Sequence, residues 1–397
     1  MGALLSSPIR NGYSPNCPDT PNGSWILGLG ALTDNGLDTT QIKPAPLDDP
    51  LVSKYLLRPG DFLVSRSNTL DKVGRSILFQ GEIQNTHFSD LMMQFRVNKS
   101  KVLPAYLEYC LRSNIARHYF HKSAAGTSGT MMKINKRILE RLPIPLPPLP
   151  EQRKIAAILT AWDRAIDLTR RLIDARQRRK KALMQRLLTG KVRFPGFTEP
   201  WKEVRLGEIF EEIRDKVGET GLTPFSISAG IGFVSQMEKW GRDIAGDQHV
   251  NYTRLRPMDF SYNKGNSKRY RFGCVYVSHL DSDIAVPSVF ISFRPRQELS
   301  THFYEQYFLG DYHGHDLKRY ITSGARSDGL LNLNKTDFFK ILVPLPPLKE
   351  QRAIGEKLSV AGHEIESLEN SRRLLEKQKK GLMQQLLTGK TRVKVER

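Results

Sequence analysis

The sequence is short of most features that mark a secreted domain, a membrane protein or an enzyme. It has three cysteines in 397 residues, Cys17, Cys110 and Cys274, widely separated and without a Cys-x-x-Cys spacing. Three thiols cannot all pair, so a disulfide framework is excluded, a reducing compartment is expected, and a structural zinc site is disfavoured. No run approaches the eighteen or so apolar residues of a membrane span. The opening Met1-Gly2-Ala3-Leu4-Leu5-Ser6-Ser7 lacks the basic start of a signal peptide. Its fit to a loose myristoylation pattern is outweighed by a match of Gly2 to the chain's own repeat. Acidic residues are also scarce, 41 against 61 Lys and Arg, which leaves a net charge of +20. That surplus favours a polyanionic partner, nucleic acid first and an anionic surface second.

Catalytic signatures are missing as well. There is no G-x-S-x-G elbow, no glycine-rich dinucleotide loop and no Asn-Pro-Pro-aromatic motif of adenine methyltransferases. Gly389-Lys390-Thr391 resembles the tail of a P-loop, but Gln384 stands where the first glycine is required, so it reads as a helix stop. His313-Gly314-His315-Asp316 reads as loop histidines rather than as a metal site. The chain is therefore expected to be non-catalytic, with no cofactor or metal of its own.

What is present is a repeat. Pro147-Pro148-Leu149-Pro150-Glu151-Gln152-Arg153 returns as Pro346-Pro347-Leu348-Lys349-Glu350-Gln351-Arg352, and Leu187-Leu188-Thr189-Gly190-Lys191 as Leu386-Leu387-Thr388-Gly389-Lys390. The offset is 199 throughout, about half the chain, so one unit is written twice. Upstream the offset is 198: Arg58, Asp61-Phe62, Phe95-Arg96 and Tyr106 match Arg256, Asp259-Phe260, Phe293-Arg294 and Tyr304. One inserted residue is expected after the short helix that Pro104 opens. Between these anchors the halves differ almost everywhere, which suits two similar scaffolds with different surfaces.

Short apolar runs at Trp25-Ile26-Leu27, Phe62-Leu63-Val64, Ser76-Ile77-Leu78-Phe79 and Met92-Met93-Gln94-Phe95 predict strands, as does Leu142-Pro143-Ile144-Pro145-Leu146. After each proline stretch, heptad-spaced Ile155, Leu159, Trp162, Ile166 and Ile173, and Ile354, Leu358, Ile365 and Leu368, predict long coiled-coil helices. Glu151 to Thr189 would make a rod of about 58 Å. Antiparallel pairing, with a pseudo-twofold axis, avoids crowding both domains at one end. The fold class is α+β, divided as 1–146, a long helix over 147–193, 194–345, and a second long helix with a final strand over 346–397. The ending Lys394-Val395-Glu396-Arg397 resembles Lys202-Glu203-Val204-Arg205 before the second domain, so the C-terminus is expected to supply the first domain's missing strand.

Binding is expected at matched basic loops. Arg66-Ser67-Asn68 with Lys72 and Arg75 corresponds to Lys264 and Asn266 with Lys268, Arg269, Tyr270 and Arg271. Thr127 and Ser128 with Lys133 correspond to Arg326 and Ser327 with Asn332. Arg, Lys and Asn satisfy base edges, and Arg and Lys hold phosphates. The cations of Arg176 and Arg178-Arg179-Lys180-Lys181 read first as a solvated helix face and second as a phosphate contact.

Two variable domains, each followed by Pro-Leu-Pro-Pro-Leu-x-Glu-Gln-Arg and a long helix closing on Leu-Leu-Thr-Gly-Lys, resemble the specificity subunit of type I restriction–modification enzymes over essentially the whole chain. The resemblance implies two target recognition domains reading halves of a bipartite double-stranded DNA site, with the helices as spacer. It also implies two methyltransferase subunits, two restriction subunits, S-adenosylmethionine, ATP and Mg2+ on those partners, and a bacterial or archaeal cytoplasm. Leu183, Leu187, Leu188, Leu382, Leu386 and Leu387 are the expected docking positions. A stand-alone DNA-binding regulator, with those leucines buried, and the specificity half of a related defence system are the alternatives.

Overall fold

The computed structural model describes residues 1–34, 36–126, 131–241, 246–265, 270–321 and 330–394. Two compact units divide the chain, 1–169 with 371–397, and 170–370. The division does not fall at the ends of the long helices, Leu149–Leu187 and Leu348–Leu387. Each unit takes the first half of one and the last half of the other.

Both units are built on the same antiparallel sheet. In the first the strand order is Arg10–Asn11, Met92–Phe95, Phe62–Ser65, Ser76–Leu78; in the second it is Phe210–Glu212, Ile291–Pro295, Phe260–Asn263, Cys274–Val277. The register pairs Phe62 with Phe95 and Phe260 with Phe293, and in each pair the rings stack, 5.0 and 5.3 Å between centroids. The repeated phenylalanines thus form cross-strand pairs facing the core. Asp61 sits beside them because its carboxylate accepts from Arg58 N (2.8 Å), Gln94 Nε2 and Arg96 Nε. Asp259 does the same for Arg256 N and Arg294, at 2.8 and 3.1 Å. The anchor residues are scaffold: a carboxylate closes a turn and ties it to the strand across the sheet.

A short helix covers each sheet, Pro104–Arg112 and Thr301–Leu309, followed by Asn114–Ser123 and His313–Leu317. The inserted residue falls between the members of the second pair, at Gly310–Tyr312, where Asp311 takes a left-handed φ of 58°. His313 is not on a loop. It is wholly buried beside Phe308, and burial pushes its pKa down to about 4, so the ring is neutral. Cys110 and Cys274 are buried free thiols, pushed up by desolvation to about 12 and about 11.

The repeated Glu-Gln pair has a structural task in each unit. Glu151 and Glu350 lie in the first turns of the long helices, where the dipole favours an acid. Each is also clamped bidentately by an arginine just past the end of the other long helix. Arg392 holds Glu151 at 2.7 and 2.7 Å, and Arg193 holds Glu350 at 2.9 and 2.6 Å, with Trp201 Nε1 adding a bond at 2.8 Å. The Arg392 guanidinium holds the Glu151 carboxyl below the ordinary range. Gln152 accepts from Leu103 N (2.9 Å) and donates to Pro147 O; Gln351 accepts from Ser300 N (3.0 Å) and donates to Pro346 O. The glutamines therefore bind the proline stretch to the start of the short helix. Both long helices then stop on a left-handed glycine, Gly190 at φ 68° and Gly389 at φ 72°.

The pairing is antiparallel within each unit. Glu151 and Asp163 meet Arg392 and Lys379 in one, and Glu350 and Glu364 meet Arg193 and Arg176 in the other. Ile155, Leu159, Leu386 and Leu387 enter the first core; Ile354, Leu358, Leu187 and Leu188 enter the second, with Leu382 and Leu183 packed at the edges. The leucines expected to receive a partner are thus the floors of the domain cores, because helix ends that carry a domain must bury their apolar face against it.

Lys202–Arg205 pairs antiparallel with Leu342–Leu345. The matching Leu142–Leu146 is extended without a ladder among the described residues, as a strand needs a partner. Val395, Glu396 and Arg397 lie outside those residues. Val393 packs on the first core and Lys154 Nζ donates to Lys394 O at 2.7 Å, so the approach of the C-terminus is in place. Gln351→Ala is expected to lower the stability of the second unit by about 1–3 kcal/mol by orphaning the buried Ser300 N–H, measured by denaturant unfolding.

Candidate nucleic-acid interface

Lys133, from the second stretch singled out in the first half, comes beside the basic turn. Ser67–Asn68 pairs antiparallel with Met132–Lys133, and Arg66 O accepts from Ile134 N at 2.9 Å. The basic turn is closed at its base by Ser65 and Arg75 and braced from behind by Arg117, whose guanidinium donates to Val73 O and Asp71 O at 2.6 and 2.5 Å. Arg75 is turned inward, paired with Asp34 on the neighbouring hairpin Leu32–Thr33 and Gly36–Leu37.

The expected readers therefore divide. Ser67 and Asn68 are buried, 1% and 6% exposed, and hold the ladder; Arg75 holds the hairpin. Lys72 and Lys133 stand in solvent, and Arg66 is half-buried with one bond to Asp90 O at 3.3 Å. These three form the accessible basic face of the turn.

In the second unit Gly265 bridges Leu330, and Leu331 N donates to Lys264 O at 3.1 Å, which brings Lys264 beside Asn332. Arg271 is exposed. Tyr270 is not available to a base: it is 5% exposed within an apolar cluster with Ile227, Leu255 and Ile284. The tyrosine expected among the DNA-binding residues of this turn is instead part of the core beneath it. Thr127, Ser128, Asn266, Lys268, Arg269, Arg326 and Ser327 lie outside the described residues.

Two features carried no signal in the sequence. Arg117 supports the turn from 44 residues away, without a local motif. The hairpin Phe225–Ser228 with Gly232–Ser235 leans on the second basic turn through Asn263 Nδ2 to Ile227 O and Gly230 N to the Tyr276 hydroxyl. It presents Ile231 at its tip, 75% exposed, and leads to exposed Met237 and Trp240. Both units thus set a hairpin beside a basic turn, held by an ion pair in one and by an amide and a tyrosine in the other.

A groove of about 600 Å³ in the first unit runs between the short helix and the start of the long one. Leu103, Pro104, Ala156, Ala157 and Ala161 make it apolar, and Arg153 and Arg164 flank it. Among the described residues no His, Cys, Asp and Glu group could hold a metal, and no helix is long and apolar enough to cross a membrane.

A family model described as the type I restriction modification DNA specificity domain matches residues 47–175 and 269–377, more than half of the chain. The chain belongs to this family. Each matched segment starts inside a domain and ends inside a long helix, so the match runs from part of each sheet through the Glu-Gln pair into the helix. The protein named a type I restriction enzyme MjaX specificity subunit in Methanocaldococcus jannaschii is 28% identical over 97% of this chain and 91% of its own. The type I restriction enzyme MjaVIII specificity subunit of the same organism is 26% identical over 75% of this chain and 72% of its own. The crystal structure of the type I restriction–modification S subunit from M. genitalium shares the fold, with a TM-score of 0.58 at 15% identity over 97% of this chain and 94% of that one.

In this specificity-domain protein, Lys72→Ala and Lys133→Ala are each expected to weaken DNA binding equally for all sequences and to reduce the salt dependence of the logarithm of affinity by about one, read from binding isotherms at several salt concentrations.

Proposed function

We propose that this chain is the DNA sequence-specificity subunit of a type I restriction–modification complex. Each unit reads one half of a bipartite site, and the long helices fix the spacer. The observation that carries this is the pattern of likeness between the units: sheet, anchors and Glu-Gln pair repeat, while the basic turns differ, with Arg66 and Lys72 standing where the second unit has Lys264 and Tyr270. A scaffold duplicated with unlike loops suits two unlike targets.

The chain contributes recognition, and the chemistry belongs to partners. Methyltransferase subunits would bring S-adenosylmethionine, and restriction subunits would bring ATP and Mg2+. With the leucines at the helix ends committed to the cores, the apolar groove of the first unit is the surface we assign to a methyltransferase subunit. Arg66 would read a base edge from the turn, and Lys72 and Lys133 would hold flanking phosphates.

Sequencing methylated sites in cells carrying this chain and its partners tests the reading. Arg66→Ala is expected to relax the base preference of one half-site by about 1–3 kcal/mol per base pair and to leave the other half-site alone. Inserting seven residues into one long helix is expected to change the spacer with both half-sites kept. Altered half-sites in the insertion variant, or loss of all methylation with unchanged DNA selectivity in Arg66→Ala, would overturn it.

A further inference from the structure

Because the long helices are repeats at an offset of 199, each seam position in one unit has a counterpart in the other. In the first unit the lysine of the seam is neutralised from across it: Lys379 pairs with Asp163 and lies 5.5 Å from the centre of the Tyr109 ring. In the second unit the same lysine is Lys180, and the position of Asp163 is Gly362. A β-carbon built on Gly362 would stand 2.9 Å from Lys180 Nζ, so the ammonium lies over the place where the acid would begin. Lys180 forms no ion pair among the described residues. Glu305 is the acid that acts on it electrostatically, and that carboxylate is already hydrogen-bonded to His279 at 2.5 Å.

The rest of the neighbourhood has changed in the same sense. Arg176, Arg179 and Lys357 line a cleft of about 80 Å³ with Lys180, and their counterparts in the first unit are Leu375, Gln378 and Ile158, all uncharged. The one acid in the lining, Glu364, is bound to Arg176 at 2.9 Å. The first unit therefore has a balanced pair at this register, whereas the second has four cations against one committed acid. Burial lowers the pKa of Lys180, the response of a cation that lacks a full counter-charge.

We propose that this cleft binds a phosphate group. The missing carboxylate calls for an oxygen anion, and four cations around a space of this size favour a multiply charged tetrahedral oxyanion over a single carboxylate. The group is either a free phosphate or a phosphodiester of the DNA backbone. The cleft shares no residue with the basic turns, and it would add a sequence-independent anchor that the half-site reading does not require.

The test is calorimetric titration of the full chain with inorganic phosphate at ionic strength held constant with chloride. Phosphate is expected to bind once per chain. Gly362→Asp, which supplies the acid of the first unit from within, and Lys180→Met are each expected to weaken phosphate about tenfold or more. Gly362→Asp keeps every cation, so it remains informative if Lys180→Met fails to fold. Competition with a non-specific duplex distinguishes the sources: displacement of phosphate assigns the site to the DNA backbone, and its absence assigns it to the free ion. Equal phosphate affinity in all three proteins, no binding by the unsubstituted chain, or acetate binding as tightly as phosphate would overturn the proposal. No recognition site enters the titration, so its failure would leave the half-site reading untouched.

Discussion

Everything else in the structure depends on a carboxylate at the foot of each long helix. The Glu350 side chain is wholly buried and that of Glu151 nearly so, and a buried charge is tolerated only when paired and hydrogen-bonded. The partner is an arginine that the other long helix delivers just beyond its terminal glycine. This geometry fixes the register: a slip of one residue along either helix would withdraw the guanidinium and leave the charge alone. The neighbouring glutamine then binds the short helix to the proline stretch, so the domain, the start of one helix and the end of the other are set by two adjacent side chains.

The apolar contribution follows from that register. Ile155 and Leu159 reach the first core with Leu386 and Leu387, and Ile354 and Leu358 reach the second with Leu187 and Leu188. The hydrophobic seam is therefore not a separate rod to which domains are attached. Its ends belong to the domains. The basic turns and the hairpins beside them are arranged the opposite way: they share a position in the scaffold, so each can vary without disturbing a clamp or an anchor.

Much of this was legible in the sequence, because repeats and periodicity are local signals. The doubled proline stretch marked the long helices, Phe62, Phe95, Phe260 and Phe293 marked the sheet, and the Thr-Gly pairs marked the helix ends. The use made of particular side chains was less legible. Tyr270 and Arg271 are adjacent in a basic run, and only packing decides that one fills a core while the other meets solvent. The leucines at the helix ends were expected as a docking face and form a floor, since periodicity states which face is apolar and not what covers it. Arg117 and the Glu-Arg clamps join residues 44 to 241 positions apart, a separation at which pattern carries no information. A short strand at Leu142–Leu146 was expected from composition, but a strand is a property of a pair.

The order of synthesis gives the division into units a further meaning. The second unit is one continuous stretch, 170–370, whereas the first is closed by 371–397. Leu386 and Leu387 complete its core and Arg392 its buried ion pair. During translation the first domain must wait, with part of its apolar surface open, until the last turns of the second long helix emerge, and the domain made second can finish before it. The domain begun first is the one completed last.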